Sequence, residues 1–266
     1  MAHVKLPDGV SLNTRVDGPE GAPWVVLSNS LGADLSMWDG QIDMLTRKYR
    51  VLRYDHRGHG ASDAPPGPYS FDLHVADVIA LLDHHGVAKA DWLGLSMGAM
   101  TGMGLAIHRP ERFGRMVLAD GRAEATDAYK TMWDQRIAAV NAGGVEAIAD
   151  GSLGLWFTED WRKANTEATA AARAMIVSTD PAGYIASCHA LRELDYLKDL
   201  GKVTLPVLYV CGGEDKGAPP EVMQAMAKAT PGSKYVEIPN AGHVANINQP
   251  DAFNAAVAEF LEIQAR

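Results

Sequence analysis

Short strand-like segments alternate with helical ones through the first 120 residues, and this alternation restricts the possible folds more than any other feature. Strand-like runs occur at residues 11–17, 24–28, 50–54, 90–93 and 115–119. Helical patterns occur among them at residues 38–45, 71–85 and 99–108. Strands connected by helices form a mostly parallel sheet with helices on both of its faces. The sequence therefore predicts an α/β fold.

The alternation stops after residue 119 and resumes about eighty residues later. Residues 122–200 contain helical patches, some rich in alanine, and no convincing strand. Strand-like segments then return at 206–211 and 234–238, with helical ones at 221–228 and 251–263. We predict a core domain formed by residues 1–121 and 201–266, and a helical cap, or lid, formed by residues 122–200.

Composition excludes several classes of protein. The 266 residues have a formal net charge of −9 and no run of lysine and arginine, which argues against a nucleic-acid surface. The two cysteines, Cys188 and Cys211, imply no disulfide framework. We find neither a signal-peptide pattern nor an apolar run of membrane-spanning length, and we expect a cytoplasmic protein that does not bind a membrane. No feature indicates an oligomeric state.

Residues 94–98 read Gly-Leu-Ser-Met-Gly and lie where a strand is followed at once by a helix. In that context the G-x-S-x-G pattern is a nucleophile elbow, in which the glycines allow a tight turn that displays the serine hydroxyl. The pattern has only three fixed positions, so its strand and helix neighbours carry much of the argument. Ser96 is the predicted nucleophile.

A serine needs a base to take its proton and an acid to orient that base. Behind an elbow of this kind the acid and then the histidine follow the nucleophile along the chain. His243 lies between the last strand and the last helix and is the predicted base. Asp215 follows the strand that ends at Cys211 and is the predicted acid, while Asp120, after the preceding strand, is the alternative acid.

The oxyanion of a tetrahedral intermediate needs hydrogen-bond donors already aimed at it. The backbone N–H of Met97, directly after the serine, is one predicted donor. The loop at residues 28–32 follows an early strand and offers the N–H of Leu31 as the second. No H-E-x-x-H, paired C-x-x-C or dinucleotide-binding pattern occurs, so we predict neither a metal nor a cofactor.

Five segments of the sequence together resemble the α/β-hydrolase superfamily over essentially the whole chain. They are residues 27–32 with Met37 and Trp38, 53–60 with Ser62, 94–100, 156–158 and 241–243. The chain is most similar to the 3-oxoadipate enol-lactonase group, because Asn29-Ser30 stands where many relatives have His-Gly. The resemblance implies hydrolysis of an enol-lactone to 3-oxoadipate in bacterial aromatic degradation, with a small lactone or ester as the ligand.

Two positions depart from that group. Ala99 replaces a glycine common after the elbow, and residues 120–124 carry more charge than the group leads us to expect. Arg122 in this segment is a candidate partner for a substrate carboxylate, or for Glu124 at the surface. Further candidates for lining the pocket are three aromatic residues of the cap, which packing between cap and core explains equally well: Trp133, Trp156 and Phe157.

Other functions remain compatible with the same residues. A carboxylesterase, a thioesterase or a carbon–carbon bond hydrolase would use the same serine, histidine and aspartate. A small-molecule-binding protein on a hydrolase fold is the alternative from a different class. Among the other histidines, we expect His56 and His59, in a turn after a strand, to be solvated or to cap the turn.

Overall fold

The computed structural model describes residues 2–264 and contains an eight-stranded sheet. Its strands are β1 (Ala2–Lys5), β2 (Ser11–Asp17), β3 (Trp24–Ser28), β4 (Arg50–Tyr54), β5 (Ala90–Leu95), β6 (Phe113–Ala119), β7 (Val207–Gly212) and β8 (Lys234–Ile238). They lie in the order β1-β2-β4-β3-β5-β6-β7-β8. β2 pairs antiparallel with β1 and β4, and the other neighbours are parallel. The predicted α/β class is confirmed.

Helices connect the strands and cover the sheet. They are α1 (Asp39–Leu45), α2 (Phe71–His84), α3 (Met97–His108), α4 (Asp127–Gly143), α5 (Glu146–Trp156), α6 (Glu159–Ala164), α7 (Thr166–Val177), α8 (Pro181–Arg192), α9 (Pro220–Ala229), α10 (Ala245–Asn248) and α11 (Pro250–Leu261). Short 3₁₀ helices occupy Leu35–Trp38, Pro110–Arg112 and Leu197–Lys202. α1 packs with α11, and α2 packs with α3.

The central strands are buried on both faces, which explains their composition. β3 contributes Val25, Val26 and Leu27, and every residue of β7 is buried. Parallel strands covered by helices on both sides read as continuous apolar runs rather than alternating ones. The edge strand β1 was not predicted, because its four residues are mostly exposed and carry no such run. The short helix α10 was not predicted either.

Between β6 and β7 the chain forms the five helices α4 to α8, which we call the helical insertion. Its two ends lie side by side: Ala125 N donates to Leu194 O at 2.8 Å, and Tyr196 N donates to Ala123 O at 2.7 Å. Side-chain caps fix the start of several of its helices, as where Thr126 accepts from the backbone N–H of Tyr129. The insertion therefore leaves and rejoins the core through one narrow neck.

Within residues 2–264, no helix combines the length and the apolar character that crossing a bilayer requires.

Candidate active site

Ser96 occupies a sharp turn between β5 and α3. Its backbone has φ 55° and ψ −114°, a conformation that non-glycine residues rarely adopt and that costs free energy. The turn is held by hydrogen bonds from Ser96 N to Ala119 O (2.9 Å) and from Met100 N to Ser96 O (3.0 Å). The predicted elbow is therefore present, and its strain is held by the neighbouring strand and helix.

Both glycines of the elbow are required by close backbone approach. A Cβ atom on Gly94 would lie 2.3 Å from Gly98 O. A Cβ on Gly98 would lie 2.1 Å from Ser28 O, at the end of the neighbouring strand β3. Any side chain at either position would push α3 away from the sheet, so the glycines set how closely the helix follows the strand.

His243 lies between Ser96 and Asp215 and is hydrogen-bonded to both. Its Nε2 is 2.8 Å from Ser96 Oγ, and its Nδ1 is 2.8 Å and 3.0 Å from the two oxygens of Asp215. Asp215 Oδ1 also accepts from Gly217 N (2.6 Å) and Ala218 N (3.1 Å). The structure thus brings the three predicted residues together, with the histidine between the serine and the aspartate as the predicted roles require.

The helical insertion contacts this group directly. The backbone N–H of His243 donates to Leu155 O, and that of Val244 donates to Trp156 O, each at 3.2 Å. Leu155 and Trp156 lie at the end of α5, so this helix fixes the loop that carries the histidine.

Asp120 lies beside the three residues and makes different bonds. Its carboxylate accepts from Gly212 N (2.7 Å) and Ala245 N (3.3 Å), and no bond joins it to His243 within the described residues. Burial, followed by the negative charge of Asp215, raises the pKa of Asp120 well above its ordinary value. The geometry therefore favours Asp215 over Asp120 as the partner of the imidazole.

The loop after β3 presents backbone donors beside Ser96. Asn29 fixes the loop: its Oδ1 accepts from Trp38 Nε1 (2.9 Å), and its Nδ2 donates to Tyr54 O (2.9 Å). The N–H groups of Leu31 and Met97 have no acceptor among residues 2–264. Met97 is also the first residue of α3, where the helix dipole favours negative charge. The two predicted donors are thus free to bind an oxyanion.

A cavity of about 270 Å³ opens onto Ser96 and His243. Ser30 and Leu31 line it from the core, and Trp133 and Trp156 from the helical insertion. Its volume lies just below the usual range for ligand pockets, roughly 300–1,000 Å³. The site is accordingly sized for a small molecule.

A family model described as "alpha/beta hydrolase fold" matches residues 23–250, most of the chain. The chain belongs to this family. This hydrolase-fold chain is 38% identical to 3-oxoadipate enol-lactonase 2 of Acinetobacter baylyi over 248 residues, 93% of this chain and 92% of that protein. The crystal structure of the enol-lactonase from Burkholderia xenovorans LB400 matches with a TM-score of 0.95 and 38% identity, covering 98% of this chain and 100% of that one.

A putative carbamate hydrolase, RutD, of Caulobacter segnis is 29% identical over 259 residues, 96% of this chain and 97% of that protein. The predicted superfamily and the likeness to enol-lactonases are confirmed by these comparisons.

The remaining predicted pocket residues of this alpha/beta hydrolase divide into two groups. Arg122 lines the cavity, and its Nε donates to Gly217 O (2.7 Å) rather than forming an ion pair with Glu124. Phe157 does not line it: the ring stacks on Trp161 with centroids 4.3 Å apart, beside a separate cleft. Phe157 follows the last residue of α5 and has an extended backbone.

Four polar residues of the helical insertion that were not predicted also line the cavity: Tyr129, Arg136, Ser152 and Tyr184. A signal existed for Arg136, because it lies one helical turn after Trp133 and therefore on the same face of α4. Nothing in the sequence indicated Ser152 or Tyr184, which reach the cavity through the packing of α5 and α8.

The expectation that His56 and His59 are solvated is wrong, although His59 Nδ1 does lie 3.1 Å from Arg57 O of its own turn. Both are buried, and His56 Nε2 lies 3.0 Å from Ser28 Oγ at the end of β3. Burial lowers the pKa of His59 to about 4 and that of the neighbouring His74 to about 3. These imidazoles are therefore neutral in the folded chain at pH 7.

Among residues 2–264, Asp120, Cys211 and Asp215 are close enough to suggest a metal site. The carboxylates already accept backbone N–H groups, and Asp215 also contacts His243. Burial raises the pKa of the Cys211 thiol, which disfavours the thiolate that a metal requires. These three groups do not suit a metal.

Proposed function

We propose that this chain is a serine hydrolase that opens a small lactone or ester through an acyl-enzyme, with the enol-lactone of 3-oxoadipate as its substrate. The observation that carries the proposal is the hydrogen-bonded series from Ser96 Oγ through the imidazole of His243 to Asp215. The substrate rests on the likeness to two proteins named as enol-lactonases.

In the proposed reaction, Ser96 Oγ attacks the lactone carbonyl while His243 Nε2, at 2.8 Å, takes the hydroxyl proton. Asp215 holds the other imidazole N–H and stabilises the imidazolium. The carbonyl oxygen becomes negative and is bound by the N–H groups of Leu31 and Met97.

The ring C–O bond then breaks, and His243 returns the proton to the departing enol oxygen. The leaving group of a lactone stays attached to the acyl chain, so the acyl-enzyme holds the whole opened molecule. His243 next takes a proton from water, whose oxygen attacks the ester carbon; the bond to Ser96 Oγ then breaks, and His243 gives the proton to Oγ as the acid leaves. The freed enol becomes the ketone, which gives 3-oxoadipate.

In this proposal residues 122–200 act as the cap of the core formed by residues 1–121 and 201–266. Trp133 and Trp156 would cover the acyl chain and keep bulk water from the site. The three cationic residues Arg122, Arg136 and Lys216 would together make the wall of the cavity positive. An acidic protein needs such local charge to bind a substrate that carries a carboxylate.

The test compares wild type with Ser96→Ala on the enol-lactone and on neutral p-nitrophenyl esters. We expect wild type to prefer the lactone, and Ser96→Ala to lose about 10⁴-fold or more in kcat, as removal of a nucleophile does elsewhere. Preference for neutral short esters would refute the lactonase assignment. Unchanged turnover in Ser96→Ala would refute the nucleophile itself.

Carbamates, thioesters and diketones belong in the same assay. A carbamate is included because of the likeness to the putative carbamate hydrolase. A thioester and a diketone are included because a thioesterase or a carbon–carbon bond hydrolase would use the same serine, histidine and aspartate. Turnover of one of these compounds but not of the lactone would refute the proposed substrate and leave the proposed roles of Ser96, His243 and Asp215 unchanged. Ligand binding without any turnover would support a non-catalytic binding protein instead.

A further inference from the structure

The cavity next to Ser96 has an unbalanced charge. Three cationic residues line it, Arg122, Arg136 and Lys216. No Asp or Glu of the described part of the chain does, and Asp215 lies behind His243. A cavity wall with only positive side chains favours an anionic ligand.

Arg136 is held firmly by neutral groups. Its Nε donates to Tyr184 Oη at 2.7 Å, and its Nη2 donates to Ser152 Oγ. Its guanidinium carbon lies 5.7 Å from the centre of the Trp133 ring. Tyr184 and Ser152 are both buried, so helices α4, α5 and α8 together fix the direction of the guanidinium.

No carboxylate of residues 2–264 forms an ion pair with Arg136, and its Nη1 has no acceptor there. The buried arginines of the core differ: Arg53 pairs with Asp17 and Asp39, and Arg57 pairs with Asp8 and Asp77. A half-buried cation without a counter-ion is costly, and an entering carboxylate would remove that cost.

Arg122 and Arg136 stand at the two ends of a row of aromatic rings. The Arg122 guanidinium lies 4.9 Å from the Tyr129 ring, whose centre is 5.6 Å from that of Trp133. Arg122 Nε is bound to Gly217 O, next to Asp215 and His243. Arg136 is therefore two rings further from the loop of the catalytic acid than Arg122.

We propose that Arg136, oriented by Tyr184 and Ser152, binds a free carboxylate at the far end of the substrate's acyl chain. The substrate class is then the esters and lactones of dicarboxylic acids. Arg122 acts differently: it positions the loop at Gly217 and affects all substrates alike. This inference rests on the proposed function, because it requires the reacting carbonyl to lie at Ser96.

The test uses two esters of equal chain length, mono-p-nitrophenyl glutarate and p-nitrophenyl pentanoate, which differ in a terminal carboxylate. We expect Arg136→Gln to lower kcat/KM for the glutarate ester about 10- to 100-fold, the effect of losing a hydrogen bond to a charged group. Turnover of the pentanoate ester should stay within about threefold of wild type. For the glutarate ester, the kcat/KM of Arg136→Lys should lie between those of wild type and Arg136→Gln, because lysine keeps the charge but cannot form the paired hydrogen bonds of a guanidinium.

Arg173→Gln is the matched control, because Arg173 lies on α7 and pairs with Glu146 and Asp150 at the surface. It should leave both esters unaffected, and thermal unfolding should show that each variant is folded. Equal losses on both esters in Arg136→Gln, or no loss on the glutarate ester, would overturn the proposal. So would a selective loss in Arg122→Gln without one in Arg136→Gln.

Calorimetric titration of glutarate into Ser96→Ala separates this proposal from the proposed function. We expect binding that is lost when Arg136→Gln is added and kept when Arg173→Gln is added. If wild type hydrolyses neither ester yet this pattern appears, the carboxylate site stands and the hydrolase proposal fails. If both esters turn over but Arg136→Gln changes neither turnover nor glutarate binding, the carboxylate site fails and the hydrolase proposal stands.

Discussion

Replacing Asp215 with asparagine should lower kcat strongly, because it moves the imidazole proton of His243 from Nδ1 to Nε2. Gly217 N and Ala218 N both donate to Asp215 Oδ1, so the amide oxygen of asparagine would keep that place. Its NH₂ group would then take the place of Oδ2, 2.8 Å from His243 Nδ1. Two donors cannot face each other at that distance, and Nδ1 must become an acceptor.

The imidazole proton would then lie on Nε2, which is 2.8 Å from Ser96 Oγ. A protonated Nε2 cannot take the serine proton, so the base is lost while every residue stays in place. The same substitution in a serine protease lowers kcat by about 10⁴-fold, which corresponds to about 5.4 kcal/mol of activation free energy. We expect a loss of that size in Asp215→Asn.

Asp120→Asn is the matched control, since it removes a neighbouring buried carboxylate that bonds to Gly212 N and Ala245 N and not to His243. We expect it to retain kcat within about tenfold of wild type, because only the support of two loops is weakened. Steady-state kinetics on any ester that wild type hydrolyses, with circular dichroism to verify folding, measures both variants. A larger loss in Asp120→Asn than in Asp215→Asn would show that the wrong acid has been assigned.

Three further predictions concern the surroundings of the site. Gly98→Ala should lower the free energy of unfolding in urea by about 3 kcal/mol or more, because its Cβ would meet Ser28 O at 2.1 Å; an unchanged midpoint would refute this. Asn29→Ala should lower kcat about 10- to 100-fold on all ester substrates, because the loop after β3 would lose its bonds to Trp38 and Tyr54 and the N–H of Leu31 would no longer be held in place. Activity equal to wild type would show that these bonds do not position the loop. Below pH 6.5 the imidazole of His74 binds a proton in the unfolded chain but stays neutral in the folded chain, because burial lowers its pKa to about 3, so the free energy of unfolding falls as the pH is lowered toward that pKa. His74→Leu should reduce the slope of the free energy of unfolding against pH by about 1.4 kcal/mol per pH unit between pH 5.5 and 4, and an unchanged slope would contradict this.

The meeting of Ser96, Asp215 and His243 could be predicted because parallel strands end at one edge of the sheet. Ser96 follows β5, Asp215 follows β7 and His243 follows β8, so the three residues meet although they are far apart in the sequence. The order of strands and the type of residue after each one carry this information. Sequence alone left Asp120 as a rival to Asp215, because it also follows a strand, and only the hydrogen bonds distinguish the two.

The wall of the cavity could not be predicted in the same way. Arg136, Ser152 and Tyr184 lie on three different helices, and their meeting depends on how those helices pack. The burial of His59 has a similar origin, because a Cβ on its neighbour Gly58 would lie 2.5 Å from Gly183 Cα of α8. Turn residues after a strand are ordinarily solvated, and here the helical insertion covers them.

The most direct test of the account is to trap the acyl-enzyme and locate the acyl group. Wild type mixed with an ester substrate, quenched in acid and digested, should yield one peptide whose mass is increased by the acyl group at Ser96. Asp215→Asn should accumulate this species far more slowly, and Ser96→Ala should not form it. Turnover with no acylated peptide, or with the acyl group on another residue, would contradict the nucleophilic role of Ser96.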